Sequence, residues 1–136
     1  MKPSHIEHIG IAVINLASAI EFYEKVLGLK CYNIEVVPDQ KVKTAFFKVG
    51  DTKIELLEST DPDGAIRKFI ATRGEGIHHI AFAVNNIEKQ LKHAGDKGVR
   101  LIDAKPRRGA EGLEIAFLNP KSTSGVLIEI CEDKNK

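Results

Sequence analysis

At 136 residues, 43% hydrophobic and 29% charged, the chain suits one soluble, globular domain with a real core, which excludes a disordered or fibrous protein. A formal charge of +1 argues against a general electrostatic role on nucleic acid or membrane, so an anionic ligand must be met by local positive charge. No signal peptide and no apolar run long enough to span a bilayer is evident, and the expected location is the cytoplasm.

Residues 5–14 alternate around β-branched side chains and predict a strand. Asn15 is a suitable helix N-cap, and Leu16, Ile20, Tyr23 and Leu27 follow at helical spacing until Gly28. Residues 29–37 predict a second strand ending at Pro38-Asp39. A hairpin follows, from Val42 to Val49 and from Thr52 to Glu58 around Gly50-Asp51. Residues 60–75 form a connector, with a turn at Asp61-Pro62-Asp63-Gly64 and a short amphipathic helix through Ile66, Phe69 and Ile70.

The second part repeats this plan. Strand 76–84 leads into a helix opening near Asn85-Asn86, where Asn85 and Glu88 have capping-box spacing, and Gly98 closes it. A strand at 99–104, a basic loop at 105–112, a strand at 113–119 and a last strand at 126–131 complete the unit. The expected architecture is α+β: two tandem βαβββ modules, about 5–59 and 76–132, within a single domain spanning 1–136. Neither module closes a core alone, so the two sheets are expected to form a partly open barrel around a shared cavity.

The duplication is written in the residues themselves. Ile6, His8, Ile9, Ala12, Val13 and Asn15 recur seventy-one positions later as Ile77, His79, Ile80, Ala83, Val84 and Asn86. Ile54-Glu55-Leu56-Leu57-Glu58 matches Ile128-Glu129-Ile130-Cys131-Glu132 at an offset of seventy-four. Each module therefore supplies one histidine on its first strand and one glutamate on its last. Alternation puts His8 with Gly10 and Ala12, and His79 with Ala81 and Ala83, so the histidine side is the small-residue side in both copies. A carboxylate flanked by bulky aliphatics needs a partner, because an unpaired buried charge costs several kcal/mol. Two imidazoles and two carboxylates suit a borderline divalent ion and leave positions open for water or substrate. His5, His78 and His93 read as structural or surface residues. Cys31 and Cys131 read as small apolar residues rather than a disulfide or a metal pair.

The paired modules, with a His on each first strand and a Glu on each last, resemble the vicinal oxygen chelate (glyoxalase-like) superfamily. Within it, Ile6–Val13, Pro38–Val42, Ile54–Glu58, Gly74–Ile80 and Asn119–Lys121 with Gly125–Glu129 are similar to the methylmalonyl-CoA epimerase family, over nearly the whole chain. The resemblance implies a racemase/epimerase acting on an acyl-CoA through a metal-stabilised enolate. It also implies metal ligands His8, Glu55, His79 and Glu129, with Co2+ as the ion (Zn2+, Mn2+ or Ni2+ being alternatives) and Glu129 as acid/base. Glu55 stands where relatives carry Gln, and Thr44 stands where bacterial members often place a second acid/base Glu. Glu55, Gln40 with a bound water, and Lys43 are alternatives for that opposite-face group. Lys105, Arg107, Arg108 and Lys121 are candidates for the CoA phosphates, with Gln40 and Lys43 as further substrate contacts. A homodimer is expected, with no nucleic-acid or membrane partner. The other readings of the same fold are a glyoxalase-type lyase, an extradiol dioxygenase and a metal-free binding protein.

Overall fold

The computed structural model describes residues 1–135; Lys136, the last residue of the expected domain, lies outside the described residues. The chain is α+β and divides into two compact units, His8–His78 and Met1–Glu7 together with the chain from His79 on.

In the first unit, His8–Ala12 of β1 (His5–Ala12) pair in parallel with β4 (Thr52–Ser59), and β4 pairs antiparallel with β3 (Val42–Val49). β3 pairs in turn with β2 (Asn33–Val37), giving the order β2-β3-β4-β1. α1 (Leu16–Lys25) covers one face of this sheet, where Val13, Leu16, Ala45, Phe47 and Leu56 form the core with Ile20, Tyr23 and Ile54 packed on it. Asn15 caps α1 as expected, its side chain accepting from the Ser18 N–H at 2.9 Å. A second cap comes from β4: the Glu58 carboxylate accepts from the Leu16 N–H at 2.7 Å. Anion and helix N-terminus attract through the unsatisfied N–H groups and the helix dipole. α2 (Ala65–Arg73) is the connector helix, seated through Ile66 and ended at Gly74, whose φ of +77° is costly for any residue with a Cβ.

The second unit repeats the order. β5 (Gly76–Ala83) pairs in parallel with β8 (Ile128–Glu132), β8 with β7 (Glu114–Leu118) and β7 with β6 (Arg107–Arg108), giving β5-β8-β7-β6. α3 (Ile87–Asp96) buries Ile87, Leu91 and Ala94, the first two in a cluster with Val84, Ala116, Leu118 and Ile130. Its N-cap is Asn86 rather than Asn85, so the capping box expected at Asn85 and Glu88 does not form. The Asn86 side chain accepts from the Lys89 N–H at 3.2 Å, while Glu132 accepts from the Asn86 and Ile87 N–H groups, both at 2.9 Å.

Two predicted elements are corrected, the first being β2, which begins at Asn33 rather than at residue 29. Residues 99–104 are not a strand: they keep an isolated bridge, Leu101 to Leu118, and the ladder resumes only at Arg107-Arg108, inside the expected loop. The cause is local. The Asp103 side chain takes the Phe117 N–H at 2.9 Å, replacing a backbone acceptor, and Pro106 has no N–H to give. Among the described residues, no helix is long and apolar enough to cross a membrane.

Candidate functional site

Each unit carries one buried imidazole–carboxylate pair, and the strand registers explain why. In the first, His8 projects from β1 and Glu55 from β4, which runs beside it with Gly10 opposite Glu55. His8 Nδ1 lies 3.1 Å from Glu55 Oε2, and both residues are 4% exposed. In the second, Ala81 stands opposite Glu129, and His79 Nε2 lies 3.3 Å from Glu129 Oε1, at 5% and 3% exposure. A glycine or alanine sits two residues beyond each histidine, at the place where a larger side chain would cover the glutamate.

The bulky alternates face the helices, as the alternation predicted: Ile54 and Leu56 pack with α1, and Ile128 and Ile130 with α3. Phe46 stands opposite Glu55 and Phe117 opposite Glu129 on the neighbouring strands, so a phenyl ring flanks each carboxylate. The Phe117 ring meets the His79 ring edge-on, with centroids 5.5 Å apart and an interplanar angle of 83°. These aromatic walls reduce hydration, and the local dielectric falls with it.

The donor chemistry fits a divalent ion. Two ligands at about 2.1 Å from one ion and at right angles stand about 3.0 Å apart. The separations of 3.1 and 3.3 Å match that spacing. Neutral imidazole with carboxylate is a donor set for borderline first-row ions.

The remaining candidates separate by face. Thr44, 1% exposed, lies on the Glu55 side of β3 and is opposite Leu57, so no carboxylate stands at this position. Lys43, by contrast, is a correction: it alternates with Thr44 and shares the face of Ala45 and Phe47, away from Glu55. Gln40 is half-buried at the end of a 3-10 turn, Pro38–Gln40. Arg107 lies opposite Ile115 and points to the Phe117 side, whereas Arg108 lies opposite Glu114 on the other face. Lys105, Arg108 and Lys121 are exposed.

Of the other histidines, His5 and His93 are exposed. His78 packs edge-on against Phe69 at 5.0 Å; burial, with the Arg73 guanidinium second, lowers its pKa to about 4 and keeps it neutral. Among the described residues neither cysteine forms a disulfide, and Cys131 is buried beside Ala81 and Ile115.

Sequence reading missed two features. Glu35, half-buried on β2, stands opposite Thr44 and therefore on the same face as Glu55. Alternation along β2 could have found it once the β2–β3 register was known. Glu58 and Glu132, matched in the repeat, cap the two module helices, a role their spacing three residues beyond Glu55 and Glu129 did not reveal.

The known proteins agree with this arrangement. Residues 7–117 match the Glyoxalase/Bleomycin resistance protein/Dioxygenase superfamily. An uncharacterised Bacillus subtilis protein, YqjC, is 47% identical over 131 residues, covering 96% of this chain and 94% of that protein. The mitochondrial methylmalonyl-CoA epimerase of Mus musculus is 32% identical over 130 residues, covering 95% of this chain and 73% of its own. Among solved structures, a Streptomyces coelicolor methylmalonyl-CoA epimerase variant in complex with 2-nitronate-propionyl-CoA superposes with a TM-score of 0.95 at 38% identity, covering 98% of this chain and 96% of that one. With its repeated βαβββ order and one histidine–glutamate pair per repeat, the chain belongs to the Glyoxalase/Bleomycin resistance protein/Dioxygenase superfamily.

Proposed function

We propose that the protein interconverts (2R)- and (2S)-methylmalonyl-CoA by removing and returning the proton on the carbon between carboxylate and thioester. The observation that carries this reading is the doubled, buried imidazole–carboxylate pair, in a chain whose mouse and Streptomyces relatives are epimerases of that thioester. We assign His8, Glu55, His79 and Glu129 as ligands of one divalent ion, Co2+ before Zn2+, Mn2+ or Ni2+. When bound, such an ion supplies Lewis acidity that stabilises negative charge on substrate oxygens.

Glu129 is the group we assign to the α-proton. The C–H bond breaks, the proton passes to a carboxylate oxygen, and the electron pair moves toward the thioester oxygen to give the enolate. General acid–base catalysis of this kind contributes about 10²–10⁴-fold. A second group must return a proton to the opposite face, and Glu55 or a water held by Gln40 fits that task. Lys43 does not, because it projects from the wrong side of β3. Gly10, Ala12 and Ala81 place only small side chains on the donor side of their strands, and the Phe117 ring packs edge-on against His79. Arg108, Lys105 and Lys121, all exposed, are assigned to the CoA phosphates.

We further assign the whole chain to one domain, in a cytoplasmic homodimer. Phe22, Val26 and Leu27 support the dimer: they leave an apolar surface at the end of α1, at 50%, 66% and 53% exposure. The test is metal analysis of purified protein followed by an epimer-interconversion assay. Bound divalent metal, with interconversion stimulated by it, is the expected result. No metal and no stimulation would sink the enzymatic reading.

A further inference from the structure

We propose that Arg107 grips the free carboxylate at the reacting end of the substrate, and that its neighbour Arg108 does not. This deepens the proposed reaction and rests on that reading for the identity of the thioester. Register fixes the face: Arg107 is opposite Ile115, Ile115 is opposite Cys131, and two residues along β7 Phe117 is opposite Glu129. Arg107, Phe117 and Glu129 therefore share one side of the sheet, and Arg108 takes the other.

Distance narrows the ligand. The guanidinium carbon lies 5.6 Å from the centre of the Phe117 ring, and that ring's centre lies 5.5 Å from the centre of the His79 ring. One aromatic ring thus separates the cation from the donor pair. In an acyl-CoA the whole pantetheine arm lies between the thioester and the phosphates. A cation this close to the donors meets the acyl end.

The guanidinium is also held in place. Its Nε lies 3.2 Å from Asp103 Oδ1, an ion-pair distance without hydrogen-bond geometry, while the other Asp103 oxygen accepts the Phe117 N–H at 2.9 Å. Asp103 lies in the gap between the Leu101–Leu118 bridge and the ladder at Arg107. With the Nε side committed to Asp103, the terminal nitrogens of a 37% exposed side chain remain for a planar, bidentate partner. A fork already fixed loses little entropy on binding, and partial neutralisation by Asp103 disfavours loose attraction of any anion. The ligand class is a 2-carboxyacyl thioester, in preference to a simple acyl thioester.

Calorimetric binding of methylmalonyl-CoA, propionyl-CoA and CoA to the metal-loaded protein tests this. Arg107→Met should weaken methylmalonyl-CoA by about 10- to 100-fold, the worth of a charge-assisted pair, and leave propionyl-CoA and CoA nearly unchanged. Arg108→Met should weaken all three alike. An equal loss on all three ligands in Arg107→Met, or no loss on any, would overturn the assignment. Should Arg107→Met fold poorly, Arg107→Lys keeps the charge without the fork, and its selective loss of methylmalonyl-CoA affinity decides in the same way. Absence of epimer interconversion by the wild type would count against the reaction instead, since the binding preference reads Arg107 independently of turnover.

Discussion

The two modules share their donors and differ at their edges. Within each, a histidine on the first strand meets a glutamate on the last, 3.1 Å apart in one and 3.3 Å in the other, with a phenylalanine opposite the glutamate. One strand further out the copies part. Glu35 stands opposite Thr44, whereas at the matching place Arg107 stands opposite Ile115. β2 is a regular five-residue strand, and its counterpart is broken by Asp103 and reduced to two residues. The duplicated part is the imidazole–carboxylate pair, the set assigned above to one ion. Under the proposed reaction, the diverged part is where an asymmetric substrate, anionic at one end, would meet protein.

The largest effect should come from breaking the donor symmetry at the glutamates. Glu129→Gln is expected to lower α-proton exchange with deuterated solvent by about 10²–10⁴-fold, as read by mass spectrometry of recovered substrate. Exchange at the wild-type rate would remove Glu129 from the chemistry. Glu55→Gln, by contrast, takes one negative charge from the donor set. Weaker metal retention on dialysis, with a smaller loss of exchange than in Glu129→Gln, is the expected outcome.

Metal removal sharpens the comparison through stability. An ion that binds only the folded state at a hundredfold excess over its dissociation constant contributes about 2.7 kcal/mol. Chelator-treated protein should therefore melt several degrees lower, and adding metal back should restore the melt. A melt indifferent to metal would argue that the two pairs do not hold an ion.

The caps differ more subtly. Glu132 holds two helix N–H groups, while the described bond of Glu58 is to one. Glu132→Ala should cost about 1–3 kcal/mol in chemical denaturation, and Glu58→Ala less. The acid limb gives the smallest signal. Hydrogen bonds from Ile87 and Asn86 and the ammonium of Lys134 outweigh the opposing effect of burial and hold the Glu132 carboxyl below its ordinary range. A carboxyl lowered in the folded state stabilises at pH above its unfolded value, and that contribution fades as pH falls through the folded one. Glu132→Gln should accordingly flatten the loss of stability below about pH 4.5.

Much of this was legible in the sequence because duplication states each feature twice. The strand-borne histidines, the paired glutamates, Asn15 as a cap and the connector helix all followed from period and spacing. What escaped depended on register or on side chains standing in for backbone. Asp103 replaces a backbone acceptor, so the apolar run at 99–104 looked like a strand and the short ladder at Arg107 looked like a loop. The face of Lys43 follows from pairing Phe46 with Glu55, which the hairpin length alone could have supplied. The position of Glu35 depends on the 3-10 turn between β2 and β3, and no pattern within β2 fixes it. Asn86 rather than Asn85 became the cap because Glu132, forty-six residues away, holds its N–H.

The capping carboxylates tie the local order of the helices to a long-range closure. Glu58 reaches Leu16 across forty-two residues and Glu132 reaches Ile87 across forty-five, and each lies three residues beyond a donor glutamate on the same strand. Bringing the last strand of a module beside its first must overcome the entropy of a long loop, which makes that pairing late and slow. The same arrival that joins His8 to Glu55 or His79 to Glu129 also seals the helix start. A module caught before that event lacks both its second helix cap and its donor pair, so competence to bind an ion and completion of folding should appear together in time.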